Sequence, residues 1–249
     1  MKYEDRVQGC FDSAAKNYTY NTPLQETVAE RLCTQYMHTL NKHSTVLDVG
    51  CGTGYVAKIL GQQCELYQLD LSAGMCLEAA KQGNERIINC DMNQMPFRNG
   101  TFDAIVSSMA LHWASDLYRS MVSVLNVLKS GGRFAFSIPV EGTLKELQIC
   151  NKIVGRITQH KFFDCSDIAR IIRMSGARIE SIERDQYRMQ HATFFDFLAS
   201  IVKMGSSTWR NSKNSWCSVN DACKVYNNLF STRAGIFSSW HIAYFVIKK

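Results

Sequence analysis

Apolar positions follow a helical period up to residue 45 and then alternate between strand-like and helical periods. The early helical face is formed by Leu24, Val28, Leu32, Tyr36 and Met37. Short apolar runs then lie between helical stretches and predict five strands, at residues 45–50, 64–72, 86–92, 102–111 and 133–139. Strands that alternate with helices of this length indicate a parallel sheet built from βαβ crossovers.

The pattern changes after Pro139, where helical segments are no longer interleaved one by one with strands. Helices are predicted at residues 143–160, 166–176 and 193–205, and two further strands at residues 178–190 and 241–249. The polar segment 206–218 predicts a mobile loop. We expect a single α/β domain over residues 1–249. Its parts are a helical cap (1–43), a core (44–139), insertions with the late strands (140–240) and a last strand (241–249).

Composition narrows the class of protein. The chain has 249 residues, 46% of them hydrophobic, and no apolar run approaches the roughly 20 residues that a membrane helix needs. The charged start shows no secretory signal, and none of the ten cysteines stands at C-x-x-C spacing. We therefore expect a cytoplasmic enzyme with reduced thiols and no metal site.

A glycine-rich turn follows the first predicted strand. Its spacing is Gly50-x-Gly52-x-Gly54, which differs from the G-x-G-x-x-G of dinucleotide sites, and Asp48 lies two residues before it. A carboxylate here would repel a pyrophosphate but would attract a cation. S-adenosylmethionine carries an ammonium and a sulfonium and no phosphate, so its charges suit this turn.

Two further acids end the next two predicted strands. Asp70 lies 20 residues after Gly50, where an acid can accept hydrogen bonds from ribose hydroxyls. Asp91 ends the third strand, where a carboxylate can accept from an adenine amino group while Met92 packs on the ring. The alternative is that these acids only cap the turns that follow them. Three acids at three successive strand ends favour the cofactor interpretation.

The segments VLDVGCGTG, LDLS, DMNQMPF, FDAIVSS and LKSGG resemble, in their order, the class I S-adenosylmethionine-dependent methyltransferases. This resemblance covers roughly residues 44–139. It implies a Rossmann-like α/β fold whose seven-stranded, mostly parallel sheet has helices on both faces, helical lid insertions and a reversed last hairpin. It also implies S-adenosylmethionine as cofactor and S-adenosylhomocysteine as product. The implied cofactor-binding residues are Asp48, Gly50, Cys51, Gly52, Gly54, Asp70, Leu71, Met75, Asp91, Met92 and Ser107.

Residues outside these motifs are candidates for the substrate side. The polar-aromatic segment 11–25 can close over the cofactor, with Tyr18 offering a phenol near the methyl group. The alternative is an ordinary helix that packs its aromatic residues on the core. His112 and Trp113 follow the fourth strand, where His112 is either a substrate-positioning group or a structural hydrogen-bonding residue. Thr143 follows the fifth strand and is expected at the substrate rim.

The segments FDSAAKNY, SSMALHW, VEGTLKEL and IVKMGSST resemble the malonyl-acyl carrier protein O-methyltransferases of biotin synthesis. That resemblance extends over nearly the whole chain. It implies methyl transfer from S-adenosylmethionine to the free carboxylate of a malonyl thioester, carried by acyl carrier protein or by coenzyme A. We expect neither nucleic acid nor membrane as a partner.

The charge distribution is compatible with an acidic partner. Residues 145–249 carry 16 of the 28 Lys and Arg but only 8 of the 22 Asp and Glu. Arg170, Arg173 and Arg178 are the candidate docking residues for the carrier, and a merely solvated helix face is the alternative.

Other activities remain open at the level of sequence. These are methylation of a small acid or in a quinone pathway, and a methyltransferase-like factor that assembles a respiratory complex. Nucleic-acid methylation ranks last, because the chain has SSMALHW where a Pro-Pro-aromatic element is expected.

Overall fold

The computed structural model describes residues 3–18, 22–154, 162–203 and 216–249. Its strands are β1 (Thr45–Val49), β2 (Glu65–Asp70), β3 (Ile87–Asn89), β4 (Phe102–Ser108), β5 (Leu128–Pro139), β6 (Arg178–His191), β7 (Ser231–Thr232) and β8 (Gly235–Lys248). Its helices are α1 (Tyr3–Tyr18), α2 (Pro23–Tyr36), α3 (Tyr55–Leu60), α4 (Ala73–Ala80), α5 (Leu117–Val127), α6 (Lys145–Val154), α7 (Cys165–Met174), α8 (Phe194–Lys203) and α9 (Trp216–Phe230).

The strands form one mixed sheet in the order β3-β2-β1-β4-β5-β8-β6, and the short β7 pairs with β8. β1 to β5 are parallel, whereas β8 runs antiparallel to both of its long neighbours. The predicted α/β fold with a reversed last hairpin is therefore confirmed. The carboxyl ends of β1 to β4 lie at one edge of the sheet, and this edge is where ligands bind in open α/β folds.

The boundary between α5 and β5 differs from the sequence prediction, because β5 begins at Leu128, five residues before the fifth predicted strand (133–139), and includes Gly131 and Gly132. The helix ends at Val127, and both glycines lie inside β5. A Cβ on Gly132 would lie 2.7 Å from Leu128 Cδ1 and 2.9 Å from the Asp103 carbonyl oxygen. The glycine therefore allows β5 to run tightly against β4, where the register shifts between Phe102 and Ala104.

Each face of the sheet carries its own hydrophobic core. One core packs α2, α3, α6, α8 and α9 on residues such as Val46 and Val106, and the other packs α5 and α7 on Leu47 and Ile105. These neighbours in sequence alternate between faces, as the pleat of a strand requires. Helices on both faces leave the carboxyl edge of the sheet open.

The cap helix α2 is joined to the edge strand β6 through Arg31. Its guanidinium donates to Glu183 at 2.9 Å, pairs with Asp185, and stacks 4.5 Å from the Tyr244 ring centroid. The two acids of the middle of β6 therefore face α2. The opposite face of β6 therefore lacks these two carboxylates.

The loop predicted at residues 206–218 lies largely outside the described residues. Over the described ranges, no helix is both long enough and apolar enough to cross a membrane.

Candidate functional site

The glycine turn is a left-handed loop between β1 and α3. Gly50, Gly52 and Gly54 have φ angles of 74°, 54° and 90°, which residues with a Cβ adopt only with strain. The Gly50 and Cys51 amides both donate to the Leu69 carbonyl oxygen, at 2.7 and 3.0 Å. These bonds hold the turn against the end of β2, so the backbone of the turn forms the floor of the site.

Close contact distinguishes two of these glycines and gives a test of the turn. A Cβ on Gly50 would lie 2.3 Å from Ala110 Cβ, whereas one on Gly52 would meet nothing within 4 Å. We expect Gly52→Ala to lower the free energy of unfolding by about 1–2 kcal/mol, the cost of a left-handed alanine. Gly50→Ala should cost roughly 1–3 kcal/mol more, because the clash adds to the strain. Chemical denaturation of the cofactor-free variants measures both, and equal losses would contradict the close packing of Gly50 on Ala110.

Asp70 ties the turn to the start of α4. Its Oδ2 atom accepts from the Gly52 amide at 2.8 Å, and its Oδ1 atom accepts from the Ser72 amide at 2.9 Å. Burial raises the pKa of Asp70 to about 6, although the bonds from Ser72 and Gly52 oppose that rise. Each oxygen keeps a lone pair, so the carboxylate can also accept from a ligand hydroxyl.

Asp48 lies fully buried on β1. Among the described residues no donor meets either carboxylate oxygen at good hydrogen-bond geometry, and the side chain of Gln68, its neighbour on β2, favours the ionised form and lowers the pKa only in part. Burial, reinforced by the charge of Asp70, raises the pKa of Asp48 to about 8. An isolated buried carboxylate is unfavourable unless a cation or a donor compensates it. The site is therefore shaped for a ligand that brings positive charge to Asp48.

Asp91 follows β3 at the rim of the site. Its Oδ1 atom accepts from both the amide and the side chain of Asn93, at 2.8 and 3.0 Å. Ser120 in turn donates to Asn93 Oδ1 at 2.8 Å, which connects this rim to α5. The position of the third acid is therefore set by its own turn and by the neighbouring helix.

These elements line one cleft, whose empty space, counted together with the solvent at its open mouth, is about 1000 Å³. The predicted cofactor residues that line it are Asp48, Gly50, Cys51, Gly52, Asp70, Leu71, Met75, Asp91 and Met92. Gly54 and Ser107 lie behind the lining. Gly54 is the N-cap of α3, and Ser107 donates to the Val49 carbonyl oxygen at 2.8 Å, so both shape the turn from beneath.

Helix α1 forms the roof of the cleft, a position that the sequence predicted for residues 11–25 but not for residues 3–10. Glu4, Val7 and Phe11 line the cleft together with Tyr18. Asp12 anchors the helix, because its Oδ1 atom accepts from Ser72 Oγ at 2.6 Å and from the Gly74 amide at 2.9 Å. Phe11 also meets Trp113 edge to face, with ring centroids 5.4 Å apart.

Only some of the residues predicted on the substrate side line the cleft. Tyr18 and Trp113 line the cleft, and burial raises the pKa of the Tyr18 phenol, which therefore stays a hydrogen-bond donor. His112 lies outside the lining, buried in a short 3₁₀ turn with its ring 4.8 Å from that of Trp113. Thr143 is fully buried and donates to the His241 carbonyl oxygen at 3.0 Å. The lining also includes Gln25 and Tyr55, which the sequence did not single out.

The three arginines predicted to dock a carrier lie on or after α7. Arg170 and Arg173 are exposed, and Arg170 pairs with Asp167 at 2.9 Å. Arg178 is the first residue of β6 and lies opposite Lys248 of β8 in the sheet. On its other side, Lys248 lies opposite Arg133 of β5. Arg178 therefore stands at the end of the sheet remote from the cleft.

The comparison with protein families agrees with the fold and the site. Residues 47–136, which contain the glycine turn and all three strand-end acids, match the family model for a methyltransferase domain. Residues 47–136 are thus a methyltransferase domain, and its cofactor is S-adenosylmethionine. The unpaired Asp48 carboxylate and the open glycine turn fit that cationic cofactor.

The chain is also similar to individual proteins of known name and to solved structures. The chain is 28% identical to malonyl-[acyl-carrier protein] O-methyltransferase of Geobacter sulfurreducens, over 81% of this chain and 80% of that protein. It is 25% identical to the mitochondrial arginine-hydroxylase NDUFAF5 of Mus musculus, over 86% of this chain and 63% of that protein. The crystal structure of the YcgJ protein from Bacillus subtilis superposes with a TM-score of 0.60 at 17% identity, covering 92% of this chain and 97% of that one. This last likeness concerns the fold alone.

Proposed function

We propose that the protein methylates the free carboxylate of a malonyl thioester carried by acyl carrier protein. The product is the methyl ester that enters biotin (pimeloyl) synthesis, and the reaction takes place in the cytoplasm. The resemblance to the Geobacter sulfurreducens enzyme over four fifths of both chains supports this substrate.

The observation that carries the proposal is that the described lining of the cleft offers no base other than carboxylates, three of which (Asp48, Asp70 and Asp91) the proposal assigns to the cofactor. Among the described residues, the lining contains no histidine and no lysine. Methylation of an amine, a phenol or a carbon requires removal of a proton, whereas a carboxylate is already ionised at neutral pH. A cleft of this composition therefore suits an acceptor that arrives deprotonated.

The residues of the chain then perform binding, orientation and exclusion of water. Asp48, Asp70 and Asp91 hold the cofactor, which supplies an electrophilic methyl group when bound. Tyr18, Tyr55 and Gln25 bring two hydroxyls and an amide to the lining, and these groups can donate hydrogen bonds to a carboxylate.

Closure of the cleft supports the same chemistry. Phe11 and Trp113 close it with apolar surface, which removes water from the reacting groups. Alignment of two reactants accounts for roughly 7–11 kcal/mol of barrier reduction in favourable intramolecular systems. Orientation can therefore carry much of the catalysis without a base.

Transfer of radiolabelled methyl from S-adenosylmethionine to malonyl-acyl carrier protein tests the proposal. Unloaded and acetyl-loaded carriers are the controls, because both lack the free carboxylate. Label on the malonyl form alone, lost on mild alkaline hydrolysis of the ester, is the expected result. Absence of label from the malonyl form, at a cofactor concentration that saturates binding in calorimetry, would refute it.

A second candidate is modification of an arginine side chain in a partner protein. The described lining contains Glu4 and the three strand-end acids but no arginine or lysine, and such a surface attracts a cationic guanidinium. The relative named arginine-hydroxylase supports this alternative. An arginine-containing peptide included in the same labelling assay, followed by mass spectrometry, distinguishes the two acceptors.

A further inference from the structure

The hairpin of β6 and β8 extends beyond the sheet. β5 pairs with β8 from Ile242 to Lys248, whereas β6 continues along β8 as far as Ile236. Residues 186–191 and 235–241 therefore form a two-stranded ribbon that projects past the carboxyl edge. One face of this ribbon is covered by α8 and α9, whose Phe194, Phe197 and Tyr226 share a core with Ile236 and Trp240.

The other face of the ribbon, together with the adjacent residue Arg184 at its base, is polar and cationic. Arg184, Gln186, Arg188 and Gln190 alternate along β6 and are all exposed. Arg188 lies over the Phe237 ring, with 3.4 Å between its Cζ atom and the ring centroid. Stacking of this kind limits the freedom of a guanidinium, which then presents its donors to carboxylates or phosphates with less loss of entropy.

Charge is segregated between the two faces of β6. Glu183 and Asp185 point toward α2, where both pair with Arg31. The ribbon itself, residues 186–191 and 235–241, contains no Asp or Glu. Arg184 stands at its base near Asp164 and the start of α7, so that arginine is partly compensated. Arg188 forms no ion pair with any described residue.

The strand register places this face at a distance from the methyl site. Ser108 at the end of β4 aligns with Ser137, then with Tyr244 and Glu183, and Arg188 lies five residues further along β6. Three strand spacings of about 4.8 Å and five residues of about 3.3 Å give a separation of roughly 20 Å. A free small acid in the cleft cannot bridge that distance, whereas a long thioester arm held by a carrier protein can.

We propose that the exposed face of Arg184 and Arg188 docks an acidic helix of the acyl carrier protein. This inference rests on the proposed function and moves the docking site from α7 to the β6 ribbon. Three observations favour the ribbon: Arg170 already pairs with Asp167, Arg178 lies at the remote end of the sheet, and Arg188 stacks on Phe237 without an ion pair to the part of the chain that the structure describes. Contacts of this kind increase the rate of encounter and lose strength as salt is added.

The double variant Arg184→Glu/Arg188→Glu tests the docking face. Its KM for malonyl-acyl carrier protein should rise at least tenfold, whereas its KM for malonyl-coenzyme A and its affinity for S-adenosylmethionine should change less than twofold. The matched control is Arg170→Glu/Arg173→Glu, which reverses the same number of charges and should change KM for the carrier substrate less than threefold. Thermal melting checks that both variants are folded.

Two results would overturn the docking proposal while leaving the function intact. One is a wild-type enzyme that methylates the malonyl carrier while both double variants lose the same activity. The other is an increase in KM that is equal for the carrier and coenzyme A substrates. If the wild-type protein methylates no malonyl substrate, the proposed function fails. Titration of unloaded carrier by fluorescence anisotropy then tests docking directly, and absence of wild-type binding at low salt overturns it as well.

Discussion

Replacement of Asp48 by asparagine should stabilise the cofactor-free protein and weaken cofactor binding at the same time. The buried carboxyl has a pKa of about 8 instead of its ordinary 3.8. In the unfolded chain it ionises near pH 4, whereas in the folded protein it holds its proton up to about pH 8. The stability that it contributes is therefore fully present below pH 4 and is lost as the pH rises toward 8.

The size of the effect follows from the shift. At pH 7, Asp48 is ionised in the unfolded chain but protonated in the folded protein. This difference lowers the free energy of unfolding by on the order of 4 kcal/mol, at about 1.4 kcal/mol per pKa unit. Asparagine does not ionise, but it remains a buried polar group. We therefore expect Asp48→Asn to raise the free energy of unfolding by a net amount of about 2 kcal/mol. For a chain of this size, that gain raises Tm by roughly 4–8 °C.

Cofactor affinity should change in the opposite direction from stability, so that Asp48→Asn binds the cofactor more weakly. A cationic ligand favours the ionised Asp48, so binding to the wild-type protein should tighten about tenfold per pH unit between pH 6 and 8. This dependence should be flatter in Asp48→Asn, and the difference isolates Asp48 because titration of the cofactor's own amino group is common to both proteins. Calorimetry and thermal melting between pH 5 and 8.5 measure both effects.

The control for Asp48 is Asp103→Asn on the neighbouring strand. Asp103 pairs with Lys129, and this pairing keeps the pKa of its carboxyl below the ordinary value. Its replacement should lower stability slightly at neutral pH and leave cofactor binding unchanged. An Asp48→Asn protein that is less stable than wild type at pH 7.5 would mean that its carboxylate is compensated in the cofactor-free state.

Replacement of Asp70 by asparagine should raise the cofactor Kd about 100-fold. Both carboxylate oxygens accept a backbone amide, whereas the asparagine side chain has one oxygen and would direct an amino group at either Gly52 or Ser72. Hydrogen bonds to a charged group contribute about 1.5–3 kcal/mol each, and loss of one such bond together with a ribose contact accounts for the change. Calorimetry at pH 8, where the carboxyl is ionised, measures it.

Asp91→Asn provides the comparison for Asp70. Asp91 accepts both local bonds through its Oδ1 atom, and asparagine retains that oxygen. Its effect on Kd should therefore stay below tenfold. Equal losses for Asp70 and Asp91 would show that charge alone, and not the anchoring of the glycine turn, governs binding.

Local sequence was sufficient to predict the floor of the site. The glycine turn and the acids at 48, 70 and 91 lie at or next to the carboxyl ends of β1, β2 and β3, and a parallel sheet brings these ends to one edge. The fold class followed from the same alternation. The positions of these residues depend little on the rest of the chain.

The roof of the site depends on contacts between distant segments and was predicted only for residues 11–25, without the contacts that hold it. Phe11 lines the cleft because Asp12 docks α1 on α4, some 60 residues away in sequence. No periodicity within α1 indicates that contact. The 3₁₀ turn after β4 places Trp113 in the lining but not its neighbour His112, a distinction that spacing alone does not make.

The anchoring of α1 links the cap to the occupancy of the cleft. Ser72 connects two networks: its amide donates to Asp70 and its hydroxyl donates to Asp12. A ligand that stabilises this connection stabilises the docked helix by the same free energy that the docked helix adds to ligand binding. Ligand binding in the cleft and ordering of the amino-terminal helix α1 are thus coupled reciprocally. The degree of order of α1 therefore reports the fraction of molecules whose cleft is occupied.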